Sequence, residues 1–276
     1  MRAVLTGAVC IGAGILWGSA PLPAQMRDNS EKQLTCANGN RENDRARHCE
    51  IREQSVASIG RLSVDAGQNG GVSVKGWLRG DVLVRARIEA QAETDGAAAN
   101  MVSRVTVDGS GGQVHASGPE AQNNAWWSVS YEIFVPQATD VTLKTLNGGV
   151  SVSDVRGQLH FEGINGGVHL KRVAGEIGGR TVNGGIDIEL AGSGSDARQM
   201  ELSTTNGGVT ITMPATYSAH VLAETGMGRV QSDFPLPQDT AGGRSRRADF
   251  TIGAGGPSIH IATGNGSIRL KRAEAQ

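Results

Sequence analysis

Cys36 and Cys49 are the residues of this chain most disposed to covalent chemistry, an isolated pair closing a short polar loop. His48 beside Cys49 adds one metal-type ligand, but no Cys-x-x-Cys pair accompanies it, so a disulfide is expected and a metal site is not. Closing such a loop stabilises by about 3 kcal/mol in the chain-entropy model. Asp108-Gly109-Ser110-Gly111-Gly112 resembles a serine-protease nucleophile loop, yet Asp and Gly are transposed and no histidine is placed as a base. It reads as a glycine turn between strands. No G-x-S-x-G, P-loop or H-E-x-x-H motif occurs. Gly226-Met227-Gly228 and Gly264-Asn265-Gly266 lack the third glycine and following helix of a dinucleotide site. His169 with Asp187 is the one histidine–carboxylate pair the pattern brings together, and both read as solvated outer-face residues. A carbohydrate-active enzyme would need His160, Glu162, His169 and Asp187 to converge on one groove. The carboxylates are otherwise scattered, so no catalytic residue is assigned and no cofactor is expected. Arg79-Gly80-Asp81 reads as a tight turn between Trp77 and a strand from Val82. Trp126 and Trp127 are the candidate binding residues. Neighbours on a strand face opposite ways, so one joins the core while the other stacks on a sugar face or caps the end of the fold. Aromatics are only 4% of the chain, too few for a repeated platform under a polysaccharide.

The elements that position these residues are repeats. Asn-Gly-Gly occurs five times, at Asn69, Asn147, Asn165, Asn183 and Asn206, each followed by Val or Ile; steps of 18, 18 and 23 residues separate the last four. A fixed period near 20 residues with one turn signal per period marks a stacked repeat. Before each Asn the alternation is Val141-Leu143-Thr145-Asn147, Leu159-Phe161-Gly163-Asn165, Ile177-Gly179-Thr181-Asn183 and Met200-Leu202-Thr204-Asn206. Two degenerate copies follow, Val221-Ala223-Thr225-Met227 and Ile259-Ile261-Thr263-Asn265. After each Gly-Gly another apolar alternation begins, such as Val150 and Val152 or Ile186 and Ile188. Each rung is thus expected to be two short strands around a glycine corner. Period-2 spacing puts Thr145, Thr181, Thr204, Thr225 and Thr263 on one inward ladder with Asn147, Asn165, Asn183, Asn206 and Asn265. The glycines Gly148, Gly149, Gly166, Gly167, Gly184, Gly185, Gly207 and Gly208 are expected to take positive φ at the corners. Stacked amides satisfy one another from rung to rung. Asn-Gly hairpins are the alternative, but they do not explain why the flanking Thr and apolar positions recur in register. On the outward ladders Lys144, Glu162 and Arg180 alternate in sign, His169 falls beside Asp187, and Lys171 beside Glu189.

The expected organisation is a signal peptide over 1–24, a polar leader holding the disulfide loop over 25–57, a β-rich cap with the first repeat over 58–137, and repeats over 138–272. Arg2 and the apolar run 3–18 carry the export signal, with cleavage after Ala24. That run is too short and Gly-rich for a membrane span, and Cys10 within it lacks the small residue just before it that a lipoprotein signal needs. Within the cap, Val82, Val84, Ala86, Ile88 and Ala90 alternate with Leu83, Arg85, Arg87 and Glu89, a strand with a charged outer face. A short helix is expected over 97–102. Forty glycines are about twice the average share of roughly 7%, and their place in the repeats points to turn geometry. A net charge of −1 gives no pull toward nucleic acid, and Arg244-Ser245-Arg246-Arg247 reads as a solvated loop. An uncapped last rung near Ile268 would permit end-to-end association.

The segment LSVDAGQNGGVSVKGW and the rungs from Val141 to about Leu270 resemble the bacterial putative-adhesin β-solenoid family, over roughly three quarters of the chain. The resemblance implies a parallel β-helix-like domain and an envelope or surface role, and it brings no catalytic residues. The expected protein is an all-β parallel β-solenoid, exported to the periplasm, outer surface or medium, without a transmembrane anchor. It would act non-enzymatically on a cell-envelope component, a glycan or a protein. A periplasmic sensory domain working through a protein partner is the alternative.

Overall fold

The computed structural model describes residues 34–36, 45–121, 125–192, 198–236 and 246–274. The segment 1–24 expected as a signal peptide, most of the expected leader before 45, and Arg244 and Ser245 lie outside the described residues. Within them the chain is all-β: nineteen strands in one mixed sheet, with a single α-helix.

Two rows of parallel strands make up most of that sheet. The first row holds, in spatial order, β2 (Arg61–Asp65), β8 (Asp140–Asn147), β10 (Arg156–Asn165), the second half of β11 (Val168–Asn183), β13 (Met200–Asn206), β18 (Ser258–Asn265) and β15 (Ala219–Met227). The second holds β3 (Val72–Trp77), β9 (Val150–Ser153), the first half of β11, β12 (Ile186–Leu190), β14 (Val209–Met213), β19 (Ile268–Arg272) and β16 (Val230–Ser232). The Asn-Gly-Gly corners join the rows, and both contribute to one apolar core that includes Leu143, Phe161, Ile177, Val168, Ile188 and Ile211. The pairing aligns Asn147, Asn165, Asn183, Asn206 and Asn265 position for position. The outward ladder also keeps register, with Glu162 3.7 Å from Lys144 and 3.4 Å from Arg180.

The corner chemistry differs from expectation in two respects. The threonines are buried, but the asparagines are exposed. Period-2 logic stops where the strand stops: at the turn the Asn side chain swings outside the core, where its spare donor and acceptor stay hydrated. The Thr hydroxyls do the interior work. Thr145, Thr204, Thr263 and Thr225 donate to the carbonyls of Gly70, Gly184, Gly207 and Gly266 at 2.7–2.8 Å, in each case the first glycine of the preceding rung. Nor do the glycines serve mainly by positive φ, which among the eight corner glycines only Gly166 adopts, at 154°. Space is the reason. A Cβ on Gly148, Gly166, Gly184 or Gly207 would lie 2.0–2.1 Å from the carbonyl oxygen of the first glycine one rung back. On the second glycine the contacts are looser, 3.0–3.5 Å at Gly149, Gly167, Gly185 and Gly208. The degenerate copies obey this split: Gly266 and Gly228 are kept, whereas Ser267 and Arg229 occupy the second place.

The last strand pairs are not in sequence order. β18 and β19, the C-terminal pair, sit between β13–β14 and β15–β16. Ile268 is therefore interior, and the uncapped rung expected there is absent. Side-chain chemistry accounts for the order. Asn265 continues the amide ladder from Asn206 at 2.8 Å, whereas Met227 has no amide and takes the outer position. Beyond it β17 (Arg247–Ile252) pairs antiparallel with β15 and covers the end of the first row.

At the other end the second row continues from β3 into β7 (Trp126–Pro136), β4 (Asp81–Ala92) and β1 (Ala46–Ala57), the last two joining antiparallel. β6 (Gln113–Ser117) and β5 (Thr106–Asp108) extend the first row. Residues 46–57, expected as exposed leader, thus form a full strand. Their charged side chains hid it by reaching solvent or each other from a paired backbone, as in Arg47–Glu89 at 2.7 Å. The helix, α1 (Asp95–Ser103), is capped by the Thr94 hydroxyl and packs on β1 and β4, where Arg52 donates to the Val102 and Val105 carbonyls. Arg85, expected on the solvated face, is 6% exposed. It lies between Glu53 and Glu132 over the Phe134 ring, with Lys75 on the other Glu132 oxygen at 2.7 Å.

Candidate functional site

β3 pairs with β7 only from Val72 opposite Tyr131 onward. Trp126–Ser130 therefore run on past the first corner, an overhang of about 17 Å at roughly 3.3 Å per residue. On the far side β4 continues to pair with this overhang, holding it straight. The corner Asn69-Gly70-Gly71 butts against it: a Cβ on Gly70 would lie 1.9 Å from the Val129 carbonyl oxygen. The Tyr131 N–H donates to the Gly71 carbonyl at 2.9 Å. Between corner and overhang lies a shallow cleft of about 460 Å³, lined by Trp126, Ser128, Ser130, Asn69, Asn147 and the Gly70–Gly71 backbone. A second cavity of about 440 Å³ shares Trp126, Ser128 and Asn69 and adds Asp65, Gln68, Glu120 and Trp127.

The two tryptophans divide as alternation requires. Trp127 faces inward against the core, and its indole N–H donates to the Pro119 carbonyl at 2.7 Å. Trp126 lies on the cleft side, half-buried, and its N–H has no hydrogen-bond partner among the described residues. That N–H is not buried, so it is open to solvent or to whatever enters the cleft. Among the described residues the first cavity has no charged lining residue; the second has two carboxylates, Asp65 and Glu120, and no base.

From this cleft the asparagine ladder runs along the corner. Asn147 donates to the Asn69 side chain at 3.2 Å and to the Gln68 carbonyl at 2.8 Å; Asn165, Asn183, Asn206 and Asn265 each donate to the side chain of the preceding Asn at 2.7–2.8 Å. Asn165, Asn183 and Asn206 each spend one N–H and one lone pair on their neighbours and present the rest to solvent, whereas Asn147 donates to two acceptors. Beside it Leu146, Ile164 and Val182 form a short apolar stripe, 37–42% exposed.

The other candidates fall elsewhere. Cys36 and Cys49 are joined, with Cα atoms 5.7 Å apart, at the outer edge of β1. His160 and Glu162, 3.8 Å apart, belong to the first row, whereas His169 and Asp187 face each other on the second. The four do not meet in a groove. Among the described residues no group of three or more His, Cys, Asp or Glu could hold a metal ion. Asp108 accepts from the Ser110 N–H at 2.9 Å, which holds its carboxyl below the ordinary value and closes the glycine turn. Arg79 and Asp81 pair with each other, with Arg79 over the Trp77 ring. Sequence reasoning missed Asn69, Ser128 and Ser130 as partners of Trp126. The alternation of Trp126, Ser128 and Ser130 was a readable polar face, but the corner opposite it was not.

No protein-family model matches this chain, and no curated protein matches it. Among solved structures it is similar to a putative cell adhesion protein from Clostridium sporogenes, at 14% identity over 82% of this chain and 100% of that one, TM-score 0.45. It is also similar to a putative adhesin from Bacteroides fragilis, at 12% identity over 80% and 97% of the two chains, TM-score 0.41. A putative lipid binding protein from Parabacteroides distasonis follows, at 10% identity over 80% and 96%, TM-score 0.35.

Proposed function

We propose that this chain is an exported, non-catalytic parallel β-solenoid, with rungs of about 18–23 residues, that serves as an adhesin-like recognition module at the cell envelope. Its ligand enters the cleft between the first corner and the β7 overhang. In-register pairing of the corner asparagines supports the solenoid reading. The organisation that goes with it is a signal peptide over 1–24, a leader that ends where β1 begins, a β-rich cap that includes β1 and runs to 137, and rungs over 138–272. One observation carries the recognition reading: Trp126 lines both cavities with its indole N–H uncommitted among the described residues, while the N–H of Trp127 is spent on the Pro119 carbonyl. Nucleophile–base geometry has no counterpart in the cleft, whose side chains are an indole, amides and hydroxyls. A sensory domain acting through a protein partner is the second reading, favoured by the exposed Leu146–Ile164–Val182 stripe. Co-sedimentation with cell-envelope fractions tests the first. Saturable retention of the wild-type chain, lost in Trp126→Ala and kept in Trp126→Tyr, is the expected result. Retention unchanged in Trp126→Ala refutes the assignment of the cleft.

A further inference from the structure

Resting on that reading, we propose that the ligand is a glycan whose uncharged pyranose stacks on Trp126, and that Asp65 and Glu120 exclude acidic sugars. A pyranose presents C–H groups on its faces and hydroxyls around its rim. The cleft supplies the complement to both, the Trp126 ring for a face and Asn69, Asn147, Ser128 and Ser130 for the rim. Asparagine amides suit hydroxyls because they carry both donors and acceptors: after the ladder bonds Asn69 keeps its N–H groups and one lone pair, and Asn147 keeps one lone pair. Two adjoining cavities of about 460 and 440 Å³ fall within the usual range of small-molecule sites, roughly 300–1,000 Å³. Trp126 stands between them, so adjacent sugars of one chain can occupy both.

Charge selects among glycans. Among the described residues no Lys or Arg lines either cavity, and the two acids line only the second. A uronic or sialic carboxylate there would meet like charge without a counter-ion, whereas a neutral or N-acylated sugar would not. The same acids and the missing bases oppose a nucleic-acid strand, although Trp126 could stack on a base. Peptide addition to the overhang is opposed by its length. Gly70 packs against the Val129 carbonyl, which leaves only Trp126–Ser128 as open edge, too short for strand addition.

Isothermal titration of the purified chain tests this, with a neutral hexose trimer, an N-acetylglucosamine trimer and a galacturonate trimer as probes. A neutral or N-acetylated trimer is expected to bind, weakened about tenfold or more in Trp126→Ala and retained in Trp126→Tyr, with the galacturonate trimer at least about tenfold weaker. In the Asp65→Asn/Glu120→Gln variant the ratio of neutral to acidic affinity should collapse toward one; a ratio unchanged from wild type overturns the charge assignment. Equal or tighter binding of galacturonate by the wild-type chain overturns the proposal. So does binding of none of the three. If no trimer competes for envelope retention that still depends on Trp126, the cleft stands and the glycan assignment falls. If retention does not depend on Trp126, the recognition reading itself falls.

Discussion

Replacing Gly184 and Gly185 by alanine, one at a time, isolates what holds the rungs together. Neither glycine has positive φ, so an alanine is conformationally allowed at both and only space differs. A Cβ on Gly184 would lie 2.0 Å from the Gly166 oxygen and 2.6 Å from its carbonyl carbon; on Gly185 the nearest atom is the Gly208 oxygen at 3.4 Å. Real Cβ contacts do not fall below 3.0 Å. The rung at Gly184 must therefore move by about 1 Å against a rung spacing of about 4.8 Å. That opens the Gly166 N–H bond to the Asn183 carbonyl and the Val168 N–H bond to the Gly185 carbonyl, now 3.0 and 2.9 Å. Overpacking at roughly 2 kcal/mol and two weakened hydrogen bonds at roughly 1 kcal/mol each give a loss of about 4 kcal/mol. Gly185→Ala meets an ordinary contact and restricts the unfolded chain, so its effect is expected within about 0.5 kcal/mol of zero. Urea unfolding followed by far-UV circular dichroism reads both. Equal midpoints for the two variants, or a lower one for Gly185→Ala, refute the close-approach account of the corner.

Asn183→Ala removes the bonds to Asn165 and from Asn206; because the freed groups rehydrate, the same unfolding assay should show a loss of only about 1–2 kcal/mol. Thr204→Val leaves the half-buried Gly184 carbonyl without its side-chain donor and is expected to cost about 1 kcal/mol. Truncation after Ile252 removes a rung from the middle of the stack, not its end. The cooperative transition should be lost and then recovered by adding a peptide spanning 256–274, whereas a truncated chain with wild-type unfolding contradicts the rung order. Both tyrosines are buried. Burial raises both phenols well above the ordinary value, Tyr217 from 10.0 to about 12. A folded pKa above the unfolded one stabilises fully below pH 10, and that stabilisation fades as pH rises through about 12. Tyrosinate absorbance should therefore rise in that window together with loss of dichroism, and titration of a tyrosine near its ordinary value in an intact fold would contradict its burial.

The register of the parallel strands was legible because Asn-Gly-Gly carries it in plain sight, and the retained Gly228 and Gly266 even distinguish the demanding glycine from the tolerant one. What alternation cannot convey is the geometry of a corner. Asn and Thr two positions apart look equivalent on a strand, and only the turn sends one out and keeps the other in. Residues 46–57 hid as a strand because Arg47, Glu50, Arg52 and Glu53 dominate their composition, although the backbone pairs throughout with β4. The rung order depended on contacts far apart in sequence. Its one local clue was Met227 where an amide belongs. Trp126 was singled out from sequence, but its cleft exists because β7 outruns β3 by five residues, a length mismatch visible only once the strands are paired.

The recognition claim is tested most directly by hydrogen-exchange footprinting of the chain bound to cell-envelope fractions. Protection is predicted in two segments distant in sequence, Asn69–Gly71 and Trp126–Ser130, with the charged outward ladder of Lys144, Glu162 and Arg180 unchanged. Protection confined to that ladder or to the β16–β17 end, with the cleft exchanging as in the free chain, would contradict it.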